Sequence, residues 1–116
     1  MIAKFIYLWV ILPIMNGNII VFRFKEKTEQ KSINQFCKKF YGQNTTSHGG
    51  KYQYRRQGFL DNIPHIKLIG GVIIVKKDFA EKVINFLKEY NAEFYVRDLI
   101  LLYEDEVALG KFKSIP

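Results

Sequence analysis

Sulfur, histidine and long apolar runs are what this chain has least of. Its 116 residues hold one cysteine, Cys37, so no disulfide can close within the chain. A single thiol fits a reducing compartment, and a cytoplasmic protein is the expectation. The two histidines, His48 and His65, stand in separate segments, and neither has zinc-ligand spacing to Cys37. Carboxylates gather only at Glu104, Asp105 and Glu106, where a helix N-terminus attracts negative charge without any metal. No metal and no cofactor is therefore expected. The glycine pairs Gly49-Gly50 and Gly70-Gly71 are isolated and form neither a P-loop nor a dinucleotide fingerprint. Ser47 and His48 are neighbours without the sharp elbow that a serine hydrolase builds around its nucleophile.

Spanning a bilayer takes about 20 apolar residues, and no stretch reaches that length. Residues 1–15 (MIAKFIYLWVILPIM) come nearest, with Lys4 as the one charge. A base followed by apolar residues resembles a secretory signal. However, Asn16-Gly17-Asn18 stands where a small-x-small cleavage site belongs, and Pro13 interrupts the run. Read from Met15, the chain opens with a turn and then a strand. The expected organisation is a hydrophobic leader over residues 1–14, upstream of the true start, one domain over 15–110, and a basic tail over 111–116. Membrane association is expected only if residues 1–14 serve as an anchor.

What is present describes a folded domain with an uneven charge. A hydrophobic share of 48% beside a charged share of 25% is enough to close one core and argues against disorder. Ten Phe and seven Tyr suit a core filled by Phe and edged by Tyr. The net charge is +7, and residues 1–60 carry ten Lys and Arg against only Glu26 and Glu29. The remaining residues carry eight bases against nine acids, so the first sixty hold the whole excess. Charge concentrated in this way points to an anionic partner more than uniform basicity would.

The pattern of elements predicts an α+β fold. Residues 19–24 (IIVFRF) are β-branched and aromatic, as a strand requires. Ile33, Phe36, Cys37 and Phe40 fall at i, i+3, i+4 and i+7, one stripe of a helix over 29–41 with Thr28 as N-cap and Gly42 as its stop. Cys37 on that stripe reads as a core residue. Residues 43–50 (QNTTSHGG) lack periodicity and read as a loop. Residues 51–56 alternate, with Tyr52, Tyr54 and Arg56 on one face and Lys51, Gln53 and Arg55 on the other. Residues 66–69 and 72–75 flank Gly70-Gly71 as a tight hairpin, or as one longer strand with a glycine bulge. A second helix over 78–90 carries Phe79, Val83, Phe86, Leu87 and Tyr90 on its stripe. Asp78 and Glu81 are placed for a capping box, and Asn91 for a left-handed stop. A strand over 93–103 and a short helical turn ending at Gly110 complete the chain. The expected architecture is a small single-domain sandwich, two helices on one face of a mainly antiparallel sheet, in ferredoxin-like element order.

The segment richest in binding chemistry is 51–56. Lys51, Arg55 and Arg56 can neutralise phosphates, Lys38 and Lys39 extend the field from the preceding helix, and Tyr52 and Tyr54 can stack bases. These seven residues predict a nucleic-acid-binding domain, for RNA or DNA. KYQYRRQG has no glycine-aromatic-glycine core of the RNA-recognition-motif type. Two alternatives use the same chain. Tyr52 or Tyr54 could attack a phosphodiester, with Arg55 and Arg56 stabilising charge and His48 or His65 moving the proton. Alternatively, an exposed sheet edge could pair with a partner or with a second copy, giving a homo-oligomer.

Overall fold

A computed structural model describes residues 16–47 and 49–110. The leader over 1–14, the tail over 111–116 and His48 lie outside the described residues. Among the described residues, six strands and three α-helices follow in chain order: β1 Gly17–Arg23, α1 Gln30–Tyr41, β2 Gln43–Ser47, β3 Tyr52–Arg56, β4 His65–Ile69, β5 Val72–Lys76, α2 Lys77–Glu89, β6 Glu93–Leu99 and α3 Tyr103–Gly110. A 3-10 turn, Phe59–Asn62, joins β3 to β4. Four strands form one sheet in the order β4-β5-β1-β6, and every neighbouring pair is antiparallel. β2 and β3 form a separate two-stranded ribbon. The fold is thus α+β, a small single domain on a mainly antiparallel sheet.

The period-2 alternation of the strands divides the apolar residues between two cores. Ile20 and Phe22 of β1, with Ile73 and Val75 of β5, face α1 and α2 in the main core. The helical stripes meet them there, with Phe36 and Phe40 from α1 and Val83 and Leu87 from α2 fully buried. Cys37 packs at the margin of this core, as its place on the stripe implies. Its centre is aromatic: Phe36 and Phe40 stack at 4.9 Å, and Phe22 meets Phe40 edge-on at 5.3 Å. Such pairs add about 0.5–1.5 kcal/mol each beyond the area they bury.

On the sheet's other face, Ile74 packs with Leu101 and Leu109, flanked by Ile19, Ile66 and Leu99. The third helix therefore covers part of the face that the two-helix expectation left open. Its first turn holds Glu104, Asp105 and Glu106, and Asp105 Oδ2 accepts the Leu102 N–H at 3.1 Å. The carboxylate cluster thus serves the helix start, as its position suggested.

Helix starts depart from the sequence expectation in an instructive way. α1 is capped at Glu29 and α2 at Lys76, neither with a side-chain cap. At α2 the pairing with β1 runs on into the first helical residue: the Lys77 N–H donates to the Asn16 carbonyl at 2.9 Å. That bond satisfies one of the four N–H donors a helix start leaves open. Asp78 falls inside the first turn and acts on the helix dipole instead. The helix does end at a left-handed Asn91, with φ 57°.

Residues 43–47, expected as loop, form β2, because β3 supplies five consecutive antiparallel partners. The strand expected over 93–103 ends at Leu99. The Gly70-Gly71 link is a hairpin turn in which only Gly71 takes a positive φ, 84°. A Cβ there would lie 2.6 Å from the Phe22 carbonyl oxygen, while the Gly71 carbonyl accepts the Phe22 N–H at 2.8 Å. Glycine lets this turn close against β1.

Candidate nucleic-acid interface

The ribbon β2–β3 leaves the body between two glycines, Gly42 and Gly58. Gly42 ends α1 with φ 84°, its N–H donating to the Lys38 carbonyl at 3.0 Å. A Cβ on it would meet Arg55 Nη2 at 2.7 Å and the Arg56 carbonyl at 2.8 Å. A Cβ on buried Gly58 would collide with the backbone of Gly42 and Tyr41. The outgoing and returning chains therefore cross in backbone contact, which only glycine allows.

Arg55 and Asp61 clamp this crossing. Arg55 Nη2 lies 2.6 and 2.7 Å from the two Asp61 carboxylate oxygens and donates to the Tyr41 carbonyl at 2.9 Å, while Nη1 reaches Asn44 Oδ1 at 3.2 Å. Asp61 Oδ2 also accepts the Gly58 N–H at 2.7 Å. Burial is the largest single influence on Asp61 and opposes ionisation. The Arg55 and Gly58 hydrogen bonds, with the charges of Arg55 and His65, outweigh it together and hold the carboxyl below its ordinary value. Arg55 thus anchors the ribbon to the 3-10 turn, a role its sequence position did not reveal.

The other candidate residues divide between ribbon and body. Every residue of β3 is exposed, Tyr52 at 51% and Tyr54 at 54%. Register pairs Tyr54 with Thr45 and Arg56 with Gln43, so Tyr52, Tyr54 and Arg56 share one face as their alternation predicts. The opposite face carries Asn44 across from Arg55 and Thr46 across from Gln53. A groove of ≈ 490 Å³ lies along Asn44, Thr46, Gln53 and Arg55, bounded by Thr45 and Tyr54. Lys51 sits beside the glycine turn at the tip, about 13 Å along the strand from Arg55. Lys38 and Lys39 are exposed in the last turn of α1, just before the ribbon's root. From residue 30 to residue 60 the sequence holds six Lys and Arg and no carboxylate. Two acids flank this stretch: Glu29, the N-cap residue of α1, and Asp61, which is held by Arg55.

Among the described residues there is no cluster of three or more metal-ligating side chains, and no helix long and apolar enough to cross a membrane. His65 Nδ1 is 2.7 Å from the Ile63 carbonyl oxygen, a contact that fixes this nitrogen as the donor. Lys67 Nζ of β4 sits 4.2 Å from the centre of the Tyr41 ring at the end of α1. Burial raises the Tyr41 phenol above its ordinary value, opposed by a hydrogen bond to the Gly71 backbone and assisted by nearby Cys37. No protein-family profile, curated protein or solved structure matches this chain.

Proposed function

We propose that this protein binds single-stranded nucleic acid on the β2–β3 ribbon. Tyr52 and Tyr54 stack bases, and Arg56, Lys51, Lys38 and Lys39 meet phosphates. Arg55, its charge matched by Asp61, holds the ribbon in place. The observation that carries this reading is that β3 is exposed along its whole length, with its tyrosines and Arg56 on one face. A solvated strand of that composition offers both things a single strand needs, flat rings for bases and fixed cations for the backbone. Asn44 and Gln53 on the ribbon's other face have the amide groups that hydrogen-bond base edges.

The sheet is read, in the same proposal, as ferredoxin-like with the ribbon inserted. Setting β2 and β3 aside, the chain runs β1, α1, β4, β5, α2, β6, and these strands lie side by side as β4-β5-β1-β6. That order sets β5 between β1 and β4, and β1 between β5 and β6, a pair of split βαβ units. Fold alone assigns no activity, and the functional reading rests on the ribbon.

A binding titration at several salt concentrations tests the function. Binding to single strands weakens with salt, and replacing Lys51 and Arg56 by Ala flattens the log–log slope by about 0.7 for each phosphate no longer neutralised. Tyr54→Ala costs about 1–3 kcal/mol on single strands and little on duplex. If the Lys51→Ala, Arg56→Ala variant binds as tightly as the parent at low salt, the ribbon is a solvated surface only.

A further inference from the structure

The two edges of the main sheet are guarded very differently. β4 has a register irregularity between Lys67 and Ile69, and Lys67 itself sits on the strand. A bulge and a lysine are how edge strands resist pairing with other chains. β6 has neither: it pairs with β1 through seven consecutive residues without a bulge, and contains no Pro, Gly or Lys.

The direction of its backbone groups follows from the hydrogen bonds of β1. The Phe22 N–H goes to Gly71 and the Asn16 carbonyl takes the Lys77 N–H, so even-numbered residues of this strand bond towards β5. Odd-numbered residues bond towards β6, to their partners Glu93, Tyr95, Arg97 and Leu99. The backbones of Phe94, Val96 and Asp98 therefore point away from the sheet. Consistent with this, the Arg97 guanidinium folds back to donate to the Val96 carbonyl at 2.8 Å.

We propose that β6 pairs antiparallel with β6 of a second copy, about a twofold axis through Tyr95. In that register Glu93 lies opposite Arg97 on both sides of the axis, Tyr95 faces Tyr95, and Phe94 lies opposite Val96. Glu93 and Arg97 meet opposite charges and Phe94 meets Val96, while the strand's third charge, Asp98, falls opposite Ala92 and keeps its hydrogen bond from Asn18 Nδ2 at 2.8 Å. Shifting the axis to Val96 would set Phe94 against Asp98 and Glu93 against Leu99, removing the charge pairing and leaving Val96 against Val96 as the one apolar match. One strand thus has a self-complementary register, which an isologous dimer requires. Val96 and Phe94 exchange backbone hydrogen bonds with the second copy, releasing Arg97 to Glu93 across the axis. Glu93 already accepts from Arg23 at 3.0 Å, and a carboxylate has room for a second donor. Tyr95 is 58% exposed on the face away from α1 and α2, so the two rings meet in the open. The ribbon joins the sheet through β4, at the far edge, so both ribbons stay free. The dimer does not depend on the nucleic-acid reading.

Cysteine cross-linking tests the register. Tyr95 bonds inward to β1, so across the axis it forms a non-hydrogen-bonded pair with Cα atoms about 4.5 Å apart, within disulfide range. In a Cys37→Ala background, Tyr95→Cys should give a covalent dimer on mild oxidation at least about tenfold faster than Arg97→Cys, whose own symmetry mate is distant. Sedimentation equilibrium of the otherwise unaltered chain should show concentration-dependent dimers, weakened by Arg97→Glu and restored by adding Glu93→Arg. Equal or faster cross-linking at position 97 overturns the register. A chain that sediments as a monomer at every concentration overturns the dimer, whatever its nucleic-acid affinity.

Discussion

Removing the Asp61 carboxylate should loosen the ribbon from the body, and its cost can be worked from the geometry around it. Asp61→Ala deletes two interactions of different strength. The pair with Arg55 is short, but the Arg55 side chain is 37% exposed and Asp61 14%. Solvent screening at such a site leaves about 0.2–1 kcal/mol. The bond from the Gly58 N–H, at 2.7 Å, belongs to a buried residue, and its removal strands that donor. A hydrogen bond to a charged acceptor contributes about 1.5–3 kcal/mol. Together the cost is about 2–4 kcal/mol, a fall in Tm of about 10 °C or more for a domain of this size. Urea unfolding followed by circular dichroism measures it directly. Arg55→Ala should cost less, since Asp61 keeps Gly58, and the double variant should cost less than the two singles added. The effect carries a pH signature. The folded Asp61 carboxyl ionises below its ordinary value of 3.8, so its stabilisation is present above that value and lost as pH falls towards the folded one. Parent and variant should therefore converge in acid. A cost below about 0.5 kcal/mol at neutral pH, the usual range for a surface substitution, would refute the clamp.

Other consequences can be checked alongside it. Leu87→Ala, at a fully buried site, should cost about 2–5 kcal/mol, whereas exposed Lys88→Ala should stay under about 0.5 kcal/mol; equal melting would mean the α2 faces are reversed. Gly71→Ala forces a left-handed residue against the Phe22 carbonyl and should cost about 1–3 kcal/mol in chemical unfolding, with no cost if the turn can relax. The raised Tyr41 phenol favours the folded state while it stays protonated. Stability should accordingly fall as pH climbs past the ordinary value of 10.0, and Tyr41→Phe should remove that part of the alkaline decline.

Local pattern was enough to locate the elements that bury a stripe. Ile33, Phe36, Cys37 and Phe40 mark α1, and Val83, Phe86, Leu87 and Tyr90 mark α2, because a 3.6-residue period aligned with apolar side chains has one good way to leave water. The alternation of Tyr52, Tyr54 and Arg56 likewise put them on one face before any partner was known. What the tertiary structure decided are matters of partnership. β2 has no apolar pattern and is a strand only because β3 lies beside it. The first N–H of α2, on Lys77, is satisfied by the carbonyl of Asn16, sixty-one residues earlier, and not by a nearby side chain. Leu101 and Leu109 turn the segment after β6 into cover for the sheet's second face. Arg55 and Arg56 are indistinguishable as letters, yet one is clamped to Asp61 while the other shares the tyrosine face. Sequence by itself determines which side chains want burial or charge within a few residues of themselves. The packed chain alone brings together distant backbone groups and decides which of them are already satisfied.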